Sequence, residues 1–155
     1  LEVHPDQATL VPERRGELTT VGGLDATASP GTRANVIERV RQAEIEVRLC
    51  LDPDPQQIRA AAELGAQAVE LHTGSYALVS GAQRETELSR LTEAGQLVRD
   101  LGLTLHAGHG LTYSNVRPVA RLEGMCELNI GHSIVSRAVM VGMTQAVRQM
   151  KELIR

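Results

Sequence analysis

A chain of 155 residues with 42% apolar side chains fits one domain with its own core, and since it holds no Phe or Trp and only two Tyr, that core must be aliphatic. A formal net charge of -3, with no Lys/Arg stripe interleaved with aromatics, excludes a general attraction to nucleic acid. No apolar run approaches the roughly 18 residues of a membrane span, and no basic-then-apolar leader is present, so the expected location is cytoplasmic, with no membrane partner.

The chain opens at Leu1 in "LEVHPDQATLVPERR", which reads as the middle of a protein. A first strand is expected over Ala8 to Glu13, then a glycine-containing loop "TTVGGLD" and a helix "TRANVIERVRQAEI" with Val36, Ile37 and Val40 at helical spacing. "EVRLCLD", Glu46 to Asp52, is the second strand. The helix after it takes Asp54 as N-cap and Pro55 at its first position, where the missing N–H costs nothing, and stops at Gly65. Gln67 to Gly74, "QAVELHTG", is the third strand, followed by the loop "SYALVSGAQ". The next helix carries Leu88, Leu91, Ala94, Leu97 and Val98 on one face and ends at Gly102. "LTLHAGHG" is the fourth strand, and a short helix begins near Asn115 with Pro118 in its first turn. Met125 to Ser133 is the fifth strand and leads toward "SIVSRAV", a short helix. The last helix shows a stripe of Met143, Ala146, Val147, Met150 and Ile154. Cys50 and Cys126 both fall in apolar strand-like runs and read as buried, reduced thiols.

Five strands alternating with helices imply right-handed βαβ units and a parallel sheet, hence an α/β class. Polar and glycine residues gather at the carboxyl ends of these strands: Glu13 with Arg14 and Arg15, Asp52, His72 with Thr73 and Gly74, His109 with Gly110, and Gly131 with His132. In parallel α/β folds that end is where sites are built. Glu13 and the two arginines fit either a surface ion pair or a phosphate contact. His109 lies between two glycines, which fits close approach to a small ligand and equally a tight turn with its imidazole in water. Gly131 feeds a helix N-terminus, the usual place for a phosphate, although an ordinary strand-to-helix turn has the same sequence. Tyr76 and Tyr113 read as packing or lid residues, and His4, ahead of the first strand, has no expected role.

A metal site at this rim is the competing reading, since His72, His106, His109 and His132 all belong to it. His106 and His109 are three apart, however, so on a regular strand they face opposite sides, and there is no HxH or C-x-x-C pair. No metal and no other cofactor is expected. A Schiff-base enzyme is disfavoured because the single lysine, Lys151, sits in the last helix.

"LVPERRGELTTVGGLD", "VELHTG", "HAGHGLTYSNV" and "ELNIGHSIVSRAV", in this order and spacing, resemble pyridoxine 5'-phosphate synthase, a vitamin B6 enzyme with a TIM (β/α)8 barrel. The resemblance extends over essentially the whole chain. It implies condensation of 1-deoxy-D-xylulose 5-phosphate with 3-amino-2-oxopropyl phosphate to pyridoxine 5'-phosphate, phosphate and water. It further implies His109 as proton donor, Gly110, Gly131 and His132 as holders of the aminooxopropyl phosphate, and Thr19 as a contact of the deoxyxylulose phosphate. The family's other site residues lie on its first three strands. By this alignment residues 1–155 form a single partial barrel domain of strands four to eight, without the N-terminal three βα units and two of three proton-transfer residues. The expectations that follow are an inactive chain on its own and a homo-oligomer, the family being a homo-octamer. The alternative is a non-catalytic phosphate-binding or assembly module derived from the same barrel.

Overall fold

The inner and outer faces of a parallel strand are set by side-chain alternation, and here the alternation separates two chemistries. In a computed structural model describing residues 3–12 and 22–155, five strands form one parallel sheet: β1 (Gln7–Leu10), β2 (Glu46–Leu51), β3 (Ala68–His72), β4 (Thr104–Gly108) and β5 (Met125–Asn129), in the spatial order β1-β2-β3-β4-β5. The α/β class and the five parallel strands agree with the sequence reading. Among the described residues seven helices accompany them: α1 (Pro30–Gln42), α2 (Pro55–Glu63), α3 (Gly74–Leu78), α4 (Gly81–Asp100), α5 (Val116–Ala120), α6 (His132–Val141) and α7 (Met143–Leu153). Glu13, Arg14, Arg15 and Thr19 lie outside the described residues.

Val47, Leu49 and Leu51 of β2, Val69 and Leu71 of β3, and Leu105 and Ala107 of β4 form the outer face and pack against Ile37, Ile58, Leu91, Val98 and Val119 of the helices. That aliphatic layer is the core, buried without any Phe or Trp. The alternate positions, Arg48 and Cys50, Glu70 and His72, and His106, are also buried but chemically different.

Local signals place the helix ends. The Asp54 carboxylate accepts from the Gln56 and Gln57 amides, capping α2 as expected. Gly102, at φ 73°, takes the left-handed position after α4, and the Leu103 amide closes back onto the Val98 carbonyl. Several expectations shift. The stretch expected as the loop "SYALVSGAQ" is instead α3 and the start of α4, because Thr73 and the Tyr76 ring tie it down: Tyr76 is buried and its hydroxyl donates to the Asn115 carbonyl at 2.8 Å. Tyr113 donates to the Ala146 carbonyl at 2.9 Å and holds α7 to the loop after β4. The fifth strand ends at Asn129 rather than Ser133, since α6 already begins at His132. In the last helix only Ala146 and Met150 of the expected stripe are buried.

Cys126 is a correction: it is exposed, not buried. Leu105 pairs with Met125 and His106 with Glu127, so the register skips Cys126, and the bulge turns its thiol outward on a strand that has a partner on one side alone among the described residues. Cys50 is a free, buried thiol as expected.

Candidate active site

The polar inner face is organised around Arg48. Its Nη1 donates to Glu127 Oε1 at 2.5 Å and to His106 Nδ1 at 2.6 Å, while Nε donates to Thr9 Oγ1 at 2.8 Å and lies 3.3 Å from Glu70 Oε2. One guanidinium thus spans all five strands. Because Arg48 has no acceptor to offer, His106 must accept through Nδ1 and carry its proton on Nε2. Burial and the adjacent Arg48 charge both hold the His106 imidazole below its ordinary pKa, so this histidine is a neutral part of the scaffold.

Glu70 sits one step closer to the rim. Burial pushes its carboxyl above the ordinary carboxylate range, with Arg48 opposing and Glu127 reinforcing. Asn129 Nδ2 donates to Oε2 at 3.1 Å. The other oxygen rests where only a glycine fits: a Cβ on Gly108 would lie 2.3 Å from Glu70 Oε1. Glu70 was not among the residues expected at the site. Its signal is nonetheless in the sequence, since alternation in "AVELHTG" puts a carboxylate on the inner face of a central parallel strand, where an unpaired charge is costly.

His109 follows the end of β4 and is one of the few non-glycine residues with positive φ, at 81°. The cause lies in Thr73, which is fully buried: its hydroxyl donates to the Gly108 carbonyl at 2.7 Å and to the His109 carbonyl at 2.5 Å, and its amide donates to the Gly108 carbonyl at 2.8 Å. With both carbonyls fixed, the peptide turns back and the His109 ring stacks on His72, centroids 4.4 Å apart at 35°. Strand alternation therefore does not apply, and the expectation that His106 and His109 face opposite sides is corrected: His109 lies within 4.8 Å, ligand atom to ligand atom, of inward-facing Cys50 and Glu70. Burial, and after it the electrostatic influence of the neighbouring His72, lowers the His109 pKa, which keeps the ring neutral near pH 7. His72 Nδ1 is 3.7 Å from Asp52 Oδ1.

Two clefts meet at this histidine. One, of about 590 Å³, is lined by Asp52, His72, Ser75 and Arg90 together with His109 and Gly110. The other, of about 460 Å³, has the same His109 and Gly110 on one wall and Glu70, Gly131, His132 and Ser133 on the others. The second is lined by the first residues of α6, where the opening amides of a helix have no intrahelical acceptor. No side chain caps that end, and Ser133 Oγ donates to the Leu111 carbonyl at 2.8 Å, fixing the first turn against the loop after β4. Gly131 and His132 are exposed there, and a Cβ on Gly131 would meet nothing within 4 Å. Asn115 closes that loop, accepting from the Thr112 amide at 2.7 Å and donating to the Gly110 carbonyl at 3.1 Å. Of the residues expected at the site, the structure brings together His109, Gly110, Gly131 and His132.

The family described as "Pyridoxal phosphate biosynthesis protein PdxJ" matches residues 1–155. Among curated relatives, the pyridoxine 5'-phosphate synthase of Rhodopirellula baltica is 58% identical over 152 residues, covering 98% of this chain and 62% of the relative. The synthase of a Synechococcus species is 57% identical, covering 98% and 64%, and that of Prochlorococcus marinus is 52% identical, covering 100% and 63%. The chain thus spans somewhat less than two thirds of the length of these relatives. Among solved structures, a flavocytochrome b2 mutant with benzoylformate superposes with a TM-score of 0.52 at 16% identity, covering 79% of this chain and 32% of that one. A mandelate oxidase mutant with (S)-mandelic acid also scores 0.52, at 19% identity over 78% of this chain and 35% of that one. At such identities the likeness is one of fold. No described helix is long and apolar enough to cross a membrane.

Proposed function

The chain belongs to the PdxJ family of pyridoxal phosphate biosynthesis proteins, and from that premise we propose that it forms the strand-four to strand-eight part of a TIM-barrel pyridoxine 5'-phosphate synthase. The reaction joins 1-deoxy-D-xylulose 5-phosphate to 3-amino-2-oxopropyl phosphate and releases phosphate and water. The observation that carries this reading is that one residue pair, His109 and Gly110, lines two separate clefts. A condensation of two phosphorylated molecules needs two binding spaces and a proton-transfer group between them.

The second cleft suits the aminooxopropyl phosphate. Its phosphate takes the free amides at the start of α6, with His132 as an added donor and Gly131 leaving backbone accessible. His109 acts as the proton donor to an oxygen leaving group. A ring held below its ordinary pKa is, once protonated, a stronger acid than an ordinary imidazolium, and neutral imidazole is its resting form between transfers. Glu70, a carboxyl raised by burial, is placed to exchange a proton with the same substrate. Thr19 is assigned to the deoxyxylulose phosphate. A polypeptide of these 155 residues alone is inactive, since the family's other two proton-transfer residues have no counterpart in it. The working enzyme is a cytoplasmic homo-oligomer that needs no cofactor.

The test is a titration of the labelled protein with 3-amino-2-oxopropyl phosphate or inorganic phosphate, followed by amide NMR shifts. Perturbations centred on residues 129–136 support the assignment. If those amides stay still while others move, the phosphate binds elsewhere and the reading of the rim is wrong.

A further inference from the structure

Cys50 has no part in the reaction proposed above, yet it sits beside the groups that do. It is directly opposite Glu70 on the neighbouring strand, so both side chains point to the inner face. His109 joins them only because its left-handed backbone turns the ring back from the end of β4. The Cys50 sulfur, a Glu70 carboxylate oxygen and a His109 ring nitrogen all lie within 4.8 Å of one another.

We propose that Cys50, Glu70 and His109 form a binding site for a soft divalent cation of the zinc class. Sulfur, imidazole nitrogen and carboxylate oxygen are a zinc donor set, and three protein ligands leave a fourth position open to water or a substrate oxygen. With metal–ligand bonds of about 2.0 to 2.3 Å, tetrahedral ligands stand about 3.5 Å apart, so the three groups close by roughly 1 Å on binding. His109 supplies most of that movement, being half-buried and flanked by Gly108 and Gly110, whereas Cys50 and Glu70 stand on central strands. Glu70 is oriented for it: its contacts with Arg48 and Asn129 both use Oε2, and Oε1 lies on the Gly108 side. Arg48 is a cation close by, but its Nη1 is already held by Glu127. Coordination requires the thiolate, so each ion bound displaces the Cys50 proton into solvent.

This goes beyond the synthase reading and is measured without substrates. Chelator-treated protein is titrated with Co2+, and the thiolate-to-cobalt charge-transfer absorption is recorded, with Zn2+ then added to bleach it. The band should appear in the native protein and in Cys126→Ser, which removes the exposed thiol, and be lost in Cys50→Ser and Cys50→Ala. Circular dichroism checks that both variants fold. X-ray absorption on zinc-loaded Cys126→Ser protein needs no change at the site and should show one sulfur among nitrogen and oxygen neighbours. No charge-transfer band in native protein, a band that survives Cys50→Ala, or a zinc shell without sulfur overturns the proposal. Any of these leaves the synthase reading intact, and failure of the phosphate titration leaves this one intact.

Discussion

Replacing Thr73 with Val isolates what holds His109 in place. Val keeps the shape of Thr and removes the hydroxyl that donates to the Gly108 and His109 carbonyls. Gly108 keeps a donor, since the Thr73 amide still reaches its carbonyl at 2.8 Å, so the loss falls on the His109 carbonyl. Thr73 is the N-cap of α3 but makes no side-chain cap bond, so helix capping is unaffected. A left-handed conformation costs a non-glycine residue roughly 1–2 kcal/mol, and the lost hydrogen bond to a half-buried acceptor costs about 1–3 kcal/mol. The two are comparable, so without the hydroxyl His109 no longer stays on its stack against His72. A deficit of about 1–2 kcal/mol lowers the fraction of correctly placed His109, and with it kcat/KM, by roughly 5- to 30-fold. The assay is pyridoxine 5'-phosphate formation by the full-length protein, beside urea denaturation, with Thr73→Ser as the control that restores the hydroxyl. Lower stability with unchanged turnover would refute the link between Thr73 and the position of His109 that the proposed reaction needs.

His109→Asn should retain the fold and substrate binding and reduce turnover by roughly a hundredfold, the scale of a lost general acid; near-normal rates would return His109 to a turn residue. Gly131→Val should weaken phosphate binding far more than it lowers the melting temperature, because its Cβ enters open space by the α6 amides; calorimetric titration with inorganic phosphate checks it. His106 and His109 both have depressed pKa values, so the unfolded chain binds more protons than the folded one below the ordinary value of 6.5. The stability they contribute is present above that pH and lost as pH falls through the folded values. Urea midpoints should drop between pH 7.5 and 5.5, less steeply in His106→Gln, and equal slopes would contradict the assignment. A polypeptide of these 155 residues should associate through the sides of β1 and β5 that have no neighbouring strand among the described residues, and light scattering showing a compact monomer at high concentration would disprove that.

Much of this architecture is local and therefore readable from sequence. Period-2 alternation in "EVRLCL" and "AVELH" assigns each side chain to a face, Asp54 and Gly102 mark helix ends by their own backbone chemistry, and the histidine–glycine endings mark the rim. Other features depend on residues far apart in the chain. His109 is left-handed because Thr73, on the neighbouring strand's end, fixes its carbonyls, and no pattern within "HAGHG" contains that bond. Cys126 is exposed because the β4–β5 register skips it, although its sequence neighbourhood looks like that of a buried thiol. The α3 turn exists because the Tyr76 hydroxyl finds the Asn115 carbonyl, and the meeting of Cys50, Glu70 and His109 requires three strands in register. Alternation determines which face a side chain takes; only hydrogen bonds between distant segments determine which side chains on that face touch.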